Sequence, residues 1–241
     1  RTPGYTRIGA TQQLAPDFSA TVTGYQLTKF VSDPSQDANQ RSVTPLPIFR
    51  YAEVLLNYAE AMAELGATDQ SFLDRSVNLL RSRVGMPSLD LVTANANPDP
   101  YVGEQDSVLW NSSNPNKGVL LEIRRERRIE LVMESFRWND LMRWKEGHLL
   151  AAPFYGMYYP QKGPMDMDGD GKNDIWLVDA KVSNPDPTLQ YYVLGTDHKL
   201  SDGDHGNIMI YPNLSKSFNE DRDYLYPLPL TELLLNKNLT Q

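Results

Sequence analysis

The sequence of 241 residues contains no cysteine. Disulfides, zinc–thiolate sites and thiol nucleophiles are excluded with it. Histidine is scarce, at His148, His198 and His205 only, and no H-E-x-x-H, G-x-S-x-G or phosphate-cradling glycine loop occurs. Apolar runs are a few residues long, too short for a membrane-spanning helix. Positive charge is in deficit: 23 Lys and Arg stand against 31 Asp and Glu, a net charge of −8. Nucleic acid is therefore not expected as a partner, because phosphate binding relies on clustered basic residues. What is present is an ordinary folded-protein composition, 40% hydrophobic and 22% charged. That is enough for a sizeable core. The first residue is Arg1 rather than Met, as in a processed, trimmed or fragmentary chain.

Residues 1–48 are rich in Thr, Pro, Ser and Gly, with one expected strand at Gly24–Val31. Phe49–Leu65 reads as a helix, with Tyr51, Val54, Leu55, Tyr58, Ala59, Met62 and Leu65 on one face and Ala52, Leu56 and Ala63 making the other side partly apolar. Gly66 ends it. A second helix is expected over residues 69–84, with Phe72, Leu73, Val77, Leu80 and Val84 inward. The two make a hairpin over 49–85 that is similar to one tetratricopeptide unit, with no second copy at that period. Residues 93–118 read as a long loop carrying Tyr101 and Trp110. Residues 150–223 are expected to be irregular, with short strands at Asp174–Val178 and Tyr191–Leu194. A last short helix, capped at Thr231, follows Pro227 and Pro229.

The densest charge lies in Leu120–Gly147, LLEIRRERRIELVMESFRWNDLMRWKEG, where fifteen residues hold four Arg and four Glu. Two helices are expected, 120–134 and 136–146, bent near Ser135. On the first, Leu121, Ile129, Val132 and Phe136 form the expected apolar side. Arg124 and Arg128 share one line, and Glu122, Glu126, Glu130 and Glu134 share another. Like charges at i, i+4 are unfavourable in isolation, so these rows need partners from other elements, for which the arginine fork is well suited. The cluster reads as a network locking helices together, with Phe136, Trp138 and Trp144 as packing residues.

Three stretches, RYAEVLLNYAEAMAELG (Arg50–Gly66), the charged pair above and YLYPLPLTELLLNKNLTQ (Tyr224–Gln241), occur in an order and form that resemble the SusD/RagB-like nutrient-binding proteins of Bacteroidetes-type bacteria. Two departures stand out. Ser135 occupies a position where that family usually has Gly-His or similar, and Lys237, before Asn238, one where it commonly has proline. The resemblance implies a mainly α fold of tetratricopeptide-like hairpins packed with a loop-rich half containing short strands, and implies that residues 1–241 are the C-terminal domain of a longer protein. It also implies a surface-exposed outer-membrane lipoprotein, its anchor elsewhere, that binds glycans without catalysis and delivers them to a TonB-dependent transporter. A peptide-binding protein of the RagB branch and a glycoside hydrolase are the alternatives.

Two local features carry candidate chemistry. Asp166–Asp174, DMDGDGKND, places Asp166, Asp168, Asp170 and Asp174 at calcium-loop positions 1, 3, 5 and 9, with the Lys172 carbonyl at 7. The position-12 glutamate is replaced by Leu177, so Asp179 or a distant carboxylate would complete a solitary, structural Ca²⁺ site. Exposed loop aromatics can stack on sugar faces; among Tyr101, Trp110, Tyr155, Tyr158, Tyr159 and Trp176, the candidates for ligand contact are Tyr101, Trp110 and Trp176.

Overall fold

The computed structural model describes residues 15–25, 27, 29, 30, 36, 40, 41, 43, 45, 47–183 and 185–239. The chain divides into two compact units, one of residues 1–45 with 152–215 and the other of 46–151 with 216–241. Nine α-helices and five strands are formed among the described residues.

The second unit holds all nine helices: α1 (Tyr51–Glu64), α2 (Ser71–Asp74), α3 (Val77–Arg83), α4 (Leu91–Ala96), α5 (Pro100–Glu104), α6 (Ser107–Trp110), α7 (Lys117–Glu130), α8 (Arg137–Arg143) and α9 (Leu230–Leu235). Helix α1 forms as expected but buries a different face. Ala52, Leu55, Leu56, Ala59 and Ala63 are inside, whereas Tyr51, Val54 and Leu65 are exposed. The alanines let α7 come close, and α7 is the most extensive partner of α1. The second arm of the expected hairpin is broken into α2 and α3 at Ser76, whose buried hydroxyl donates to the Phe72 carbonyl at 2.5 Å. Val84, expected inside, is exposed.

Residues 93–118 are not a long loop. Three short helices occupy most of the segment, and an aspartate caps each one: the Asp90, Asp99 and Asp106 side chains accept from the backbone N–H groups of Thr93, Tyr101 and Leu109. Asp satisfies the orphan donors of a first helical turn, and Pro100 at the start of α5 loses nothing by lacking an N–H.

Helix α7 is the centre of this unit. Val119, Leu120, Leu121 and Ile123 are fully buried, each contributing about 1.5–3 kcal/mol by burial. Gly118 lets α7 pass α4, since a Cβ there would stand 2.0 Å from the Ala94 carbonyl oxygen. Ile129, expected on the apolar side, is exposed, as is Trp138. The bend after α7 lies where expected, with both Met133 and Ser135 in left-handed conformation (φ 63° and 65°). Thr231 lies inside α9 rather than at its cap; Pro229 precedes the helix.

The first unit is strand-rich. β1 (Phe154–Tyr159) pairs antiparallel with β5 (Gly206–Ile210), and β2 (Gly163–Met165), β3 (Ile175–Val178) and β4 (Gln190–Val193) form a second sheet in that order. β2 and β3 are antiparallel, β3 and β4 parallel. Met157, Tyr159, Ile175, Leu177 and Ile208 centre its core, so Tyr159 is a packing residue and not the loop aromatic expected. Of the strand expected at Gly24–Val31, residues 26, 28 and 31 lie outside the described residues, and the remainder forms no strand.

Candidate functional site

In the second sheet, side-chain alternation sends Ile175 and Leu177 into the core and Trp176 to the opposite face. The register sets Trp176 beside Pro164 on one side and Tyr191 on the other. The Trp176 and Tyr191 rings stack with centroids 5.7 Å apart and planes 25° apart, and Trp176 remains 37% exposed. Stacked, partly exposed rings held by paired strands give a flat apolar surface that needs little ordering when something lies on it.

Tyr191 also stands at the edge of a cleft of about 860 Å³, lined with Phe18, Tyr192, Asp197, Lys199, Tyr211 and Asn213 among others. This size and mix of aromatic and polar groups suit a small-molecule ligand. His198 forms part of its wall. The imidazole stacks on Tyr192 with centroids 4.4 Å apart, packs equally close to Phe18, and Nδ1 lies 3.1 Å from the Tyr159 hydroxyl. Burial pushes His198 down to about 4 and pushes Tyr159 up, so both are neutral at pH 7. His198, stacked on Tyr192, acts as part of a fixed aromatic wall.

The acidic loop joins β2 to β3. Asp166 accepts from the N–H groups of Gly169 and Gly171, and Asp174 from that of Met167. Carboxylate oxygens of Asp166, Asp168 and Asp174 lie within 4.8 Å of one another. Asp170 is not in that group, and accepts from the Lys172 N–H at 2.9 Å. Burial, with the charges of Asp168, Asp166 and Asp170, pushes the Asp174 carboxyl up. Oxygen donors in this arrangement fit a hard divalent cation. Strands flank the loop, Leu177 is buried in β3, and Asp179 pairs with Lys162 at 3.0 Å.

In the second unit the charged stretch is a network. Asp106 and Asp99, the caps of α6 and α5, also hold Arg124 (2.9 Å) and Arg125 (2.8 Å) of α7. Arg127 bonds both oxygens of Asp140, and Glu60 of α1 accepts two bonds from Arg143 and one from the Trp144 indole. These donors hold the Glu60 carboxyl below its ordinary range despite its burial. Tyr101, on α5, is exposed beside this network. Trp110 is half-buried against Gly103, where a Cβ would meet its ring at 2.2 Å. Of the three aromatic candidates, Tyr101 and Trp110 thus belong to one unit and Trp176 to the other.

The sequence profile of the SusD family matches residues 2–241. The chain belongs to the SusD family. It is 32% identical over 114 residues to the SusD-like protein P38 of Formosa agariphila, an alignment covering 47% of this chain and 20% of that protein. A SusD-like carbohydrate binding protein of Bacteroides fragilis, solved by crystallography, matches 100% of this chain with 40% of its own at 25% identity and a TM-score of 0.55. The chain thus spans well under half the length of these SusD relatives. No helix among the described residues is long and apolar enough to cross a membrane.

Tyr191, Tyr192, Tyr211 and Asp197 were not among the residues marked from sequence. The alternation in DIWLV and QYYV carries the signal for the first two, since pairing these strands in register places Trp176 and Tyr191 side by side.

Proposed function

We propose that this chain is part of a non-catalytic, surface-exposed glycan-binding lipoprotein that passes oligo- or polysaccharide to a TonB-dependent transporter, with the cleft at Trp176 and Tyr191 as its glycan contact in the first unit. The carrying observation is the stacked, partly exposed Trp176–Tyr191 pair, of which Tyr191 also lines the cleft. Family membership and the carbohydrate-binding relative support the same reading. Sugar rings present apolar C–H faces that lie on such a surface, while Asp197, Lys199 and Asn213 offer hydrogen bonds to hydroxyls. Calorimetry against a panel of soluble polysaccharides tests it. Trp176→Ala is expected to weaken binding about tenfold, with no turnover of the bound glycan. Unchanged affinity in Trp176→Ala refutes the assignment of the cleft, and carboxylate-dependent hydrolysis refutes the non-catalytic reading.

We further infer a structural Ca²⁺ in the acidic loop, held by Asp166, Asp168 and Asp174 and fixing the β2–β3 connection. Its support is the convergence of these three carboxylates.

A further inference from the structure

Most arginines of the charged network have carboxylate partners, but two do not. Among the described residues, neither Arg128 nor Arg137 lies within hydrogen-bond or ion-pair distance of a carboxylate, although Arg50, Arg81, Arg83, Arg124, Arg125, Arg127 and Arg143 all do. Arg128 and Arg137 line one pocket of about 50 Å³, together with Tyr101, Trp144, Glu146 and Asp106, whose carboxylate is taken by Arg124 at 2.9 Å. Arg137 is half-buried, and burial together with the Arg128 charge pushes its guanidinium down. A half-buried cation beside a second, exposed one, with no counter-charge bonded to either, is an unfavourable arrangement that an anion relieves. Two arginines left without carboxylates on a surface where the others are paired point to a ligand.

We propose that Arg128 and Arg137 bind the carboxylate of an acidic sugar, with the sugar ring against the exposed Tyr101. The pocket has room for little more than one or two waters, so it admits a carboxylate group and not a whole ring. A planar carboxylate matches the guanidinium fork, which a hydroxyl does not. This assignment rests on the glycan-binding reading and narrows it to uronic-acid-containing glycans.

The test is calorimetry with the full chain, using trigalacturonate and its fully methyl-esterified form, which keeps the shape and removes the charge. The acid is expected to bind at least about tenfold more tightly than the ester, and Arg128→Gln and Arg137→Gln each to remove about tenfold of the acid's affinity. Arg83→Gln, at an exposed arginine outside the pocket, is expected to change nothing. Arg128 is exposed, so Arg128→Gln keeps the test open if Arg137→Gln fails to fold. Equal binding of acid and ester, or an Arg128→Gln variant that binds the acid as the unmodified chain does, overturns the proposal. If neutral glycans then still bind in a Trp176-dependent way, the broader reading stands without this one. If no glycan binds at all, both fall.

Discussion

Replacing Glu146 by Gln should stabilise the protein, and the gain should grow with pH. Glu146 is 1% exposed. One oxygen accepts from the Val108 N–H at 2.7 Å, and the other accepts no hydrogen bond among the described residues, with His148 Nε2 at 3.4 Å. Burial pushes the carboxyl up to about 7 against the opposing effect of the Val108 N–H, and the neighbouring Asp106 charge adds to the rise. In the unfolded chain the same group ionises near 4.5. As pH rises from 4.5, the unfolded state loses its proton first, so the folded state holds more protons and stability falls with pH. The loss is complete above about 7 and corresponds to at most ~3 kcal/mol. Relaxation or water entry reduces it, so about 1–3 kcal/mol is expected.

Gln keeps the carbonyl acceptor for Val108, occupies the same volume and cannot ionise. The stability difference between Glu146→Gln and the unmodified protein should therefore be small at pH 4.5, rise through pH 5–7 and level off near pH 8. Urea unfolding followed by tryptophan fluorescence at four pH values measures it. Taking the difference between the two proteins removes contributions from carboxylates outside this pocket. A difference that stays flat from pH 5 to 8 refutes the argument, because it would mean that Glu146 ionises alike in the folded and unfolded chains.

Ser135→Gly should stabilise the protein by about 0.5–1 kcal/mol, since Ser135 is exposed and held at φ 65°, where a Cβ is unfavourable; a lower unfolding midpoint would contradict it. Calcium should raise the melting temperature and EDTA lower it, and Asp168→Asn should abolish both responses while leaving the metal-free protein no less stable. A melting temperature indifferent to both calcium and EDTA would remove the ion.

Much of the helical unit was legible because its signals are local. The period of α1 and the bend at Ser135 were both readable, and the usual glycine at the Ser135 position marks the backbone conformation found there. Which side of α1 is buried was not readable, because both sides are apolar and the choice depends on α7, a distant segment. The helices of 91–110 were missed although each announces itself with a capping aspartate, since segments of four to six residues are too short to show a period. At the candidate cleft, Trp176 was identifiable as a loop-region aromatic. Its stacking on Tyr191 depends on a parallel strand pairing that neither strand specifies by itself.

The charged helix shows the limit of counting charges along a sequence. Four Arg and four Glu in fifteen residues sum to zero, although their same-sign rows call for partners from other elements. The neutralisation, however, is not local. Glu126 takes Arg81, Glu130 takes Arg50 and Arg83, and Glu134 takes Arg50, all from the segment before α4. In return, Arg124, Arg125 and Arg127 bond to Asp106, Asp99 and Asp140 from other elements, while Glu122 pairs with Arg125 within the helix. Removing one member of such a buried pair strands the other, at a cost of about 3–5 kcal/mol, so the pairings hold the helices in one register. Because three of the four glutamates are committed to arginines from elsewhere, the zero sum says nothing about whether each arginine of the stretch is matched. Arg128 and Arg137 are where the matching fails, and a ligand with a carboxylate would complete it.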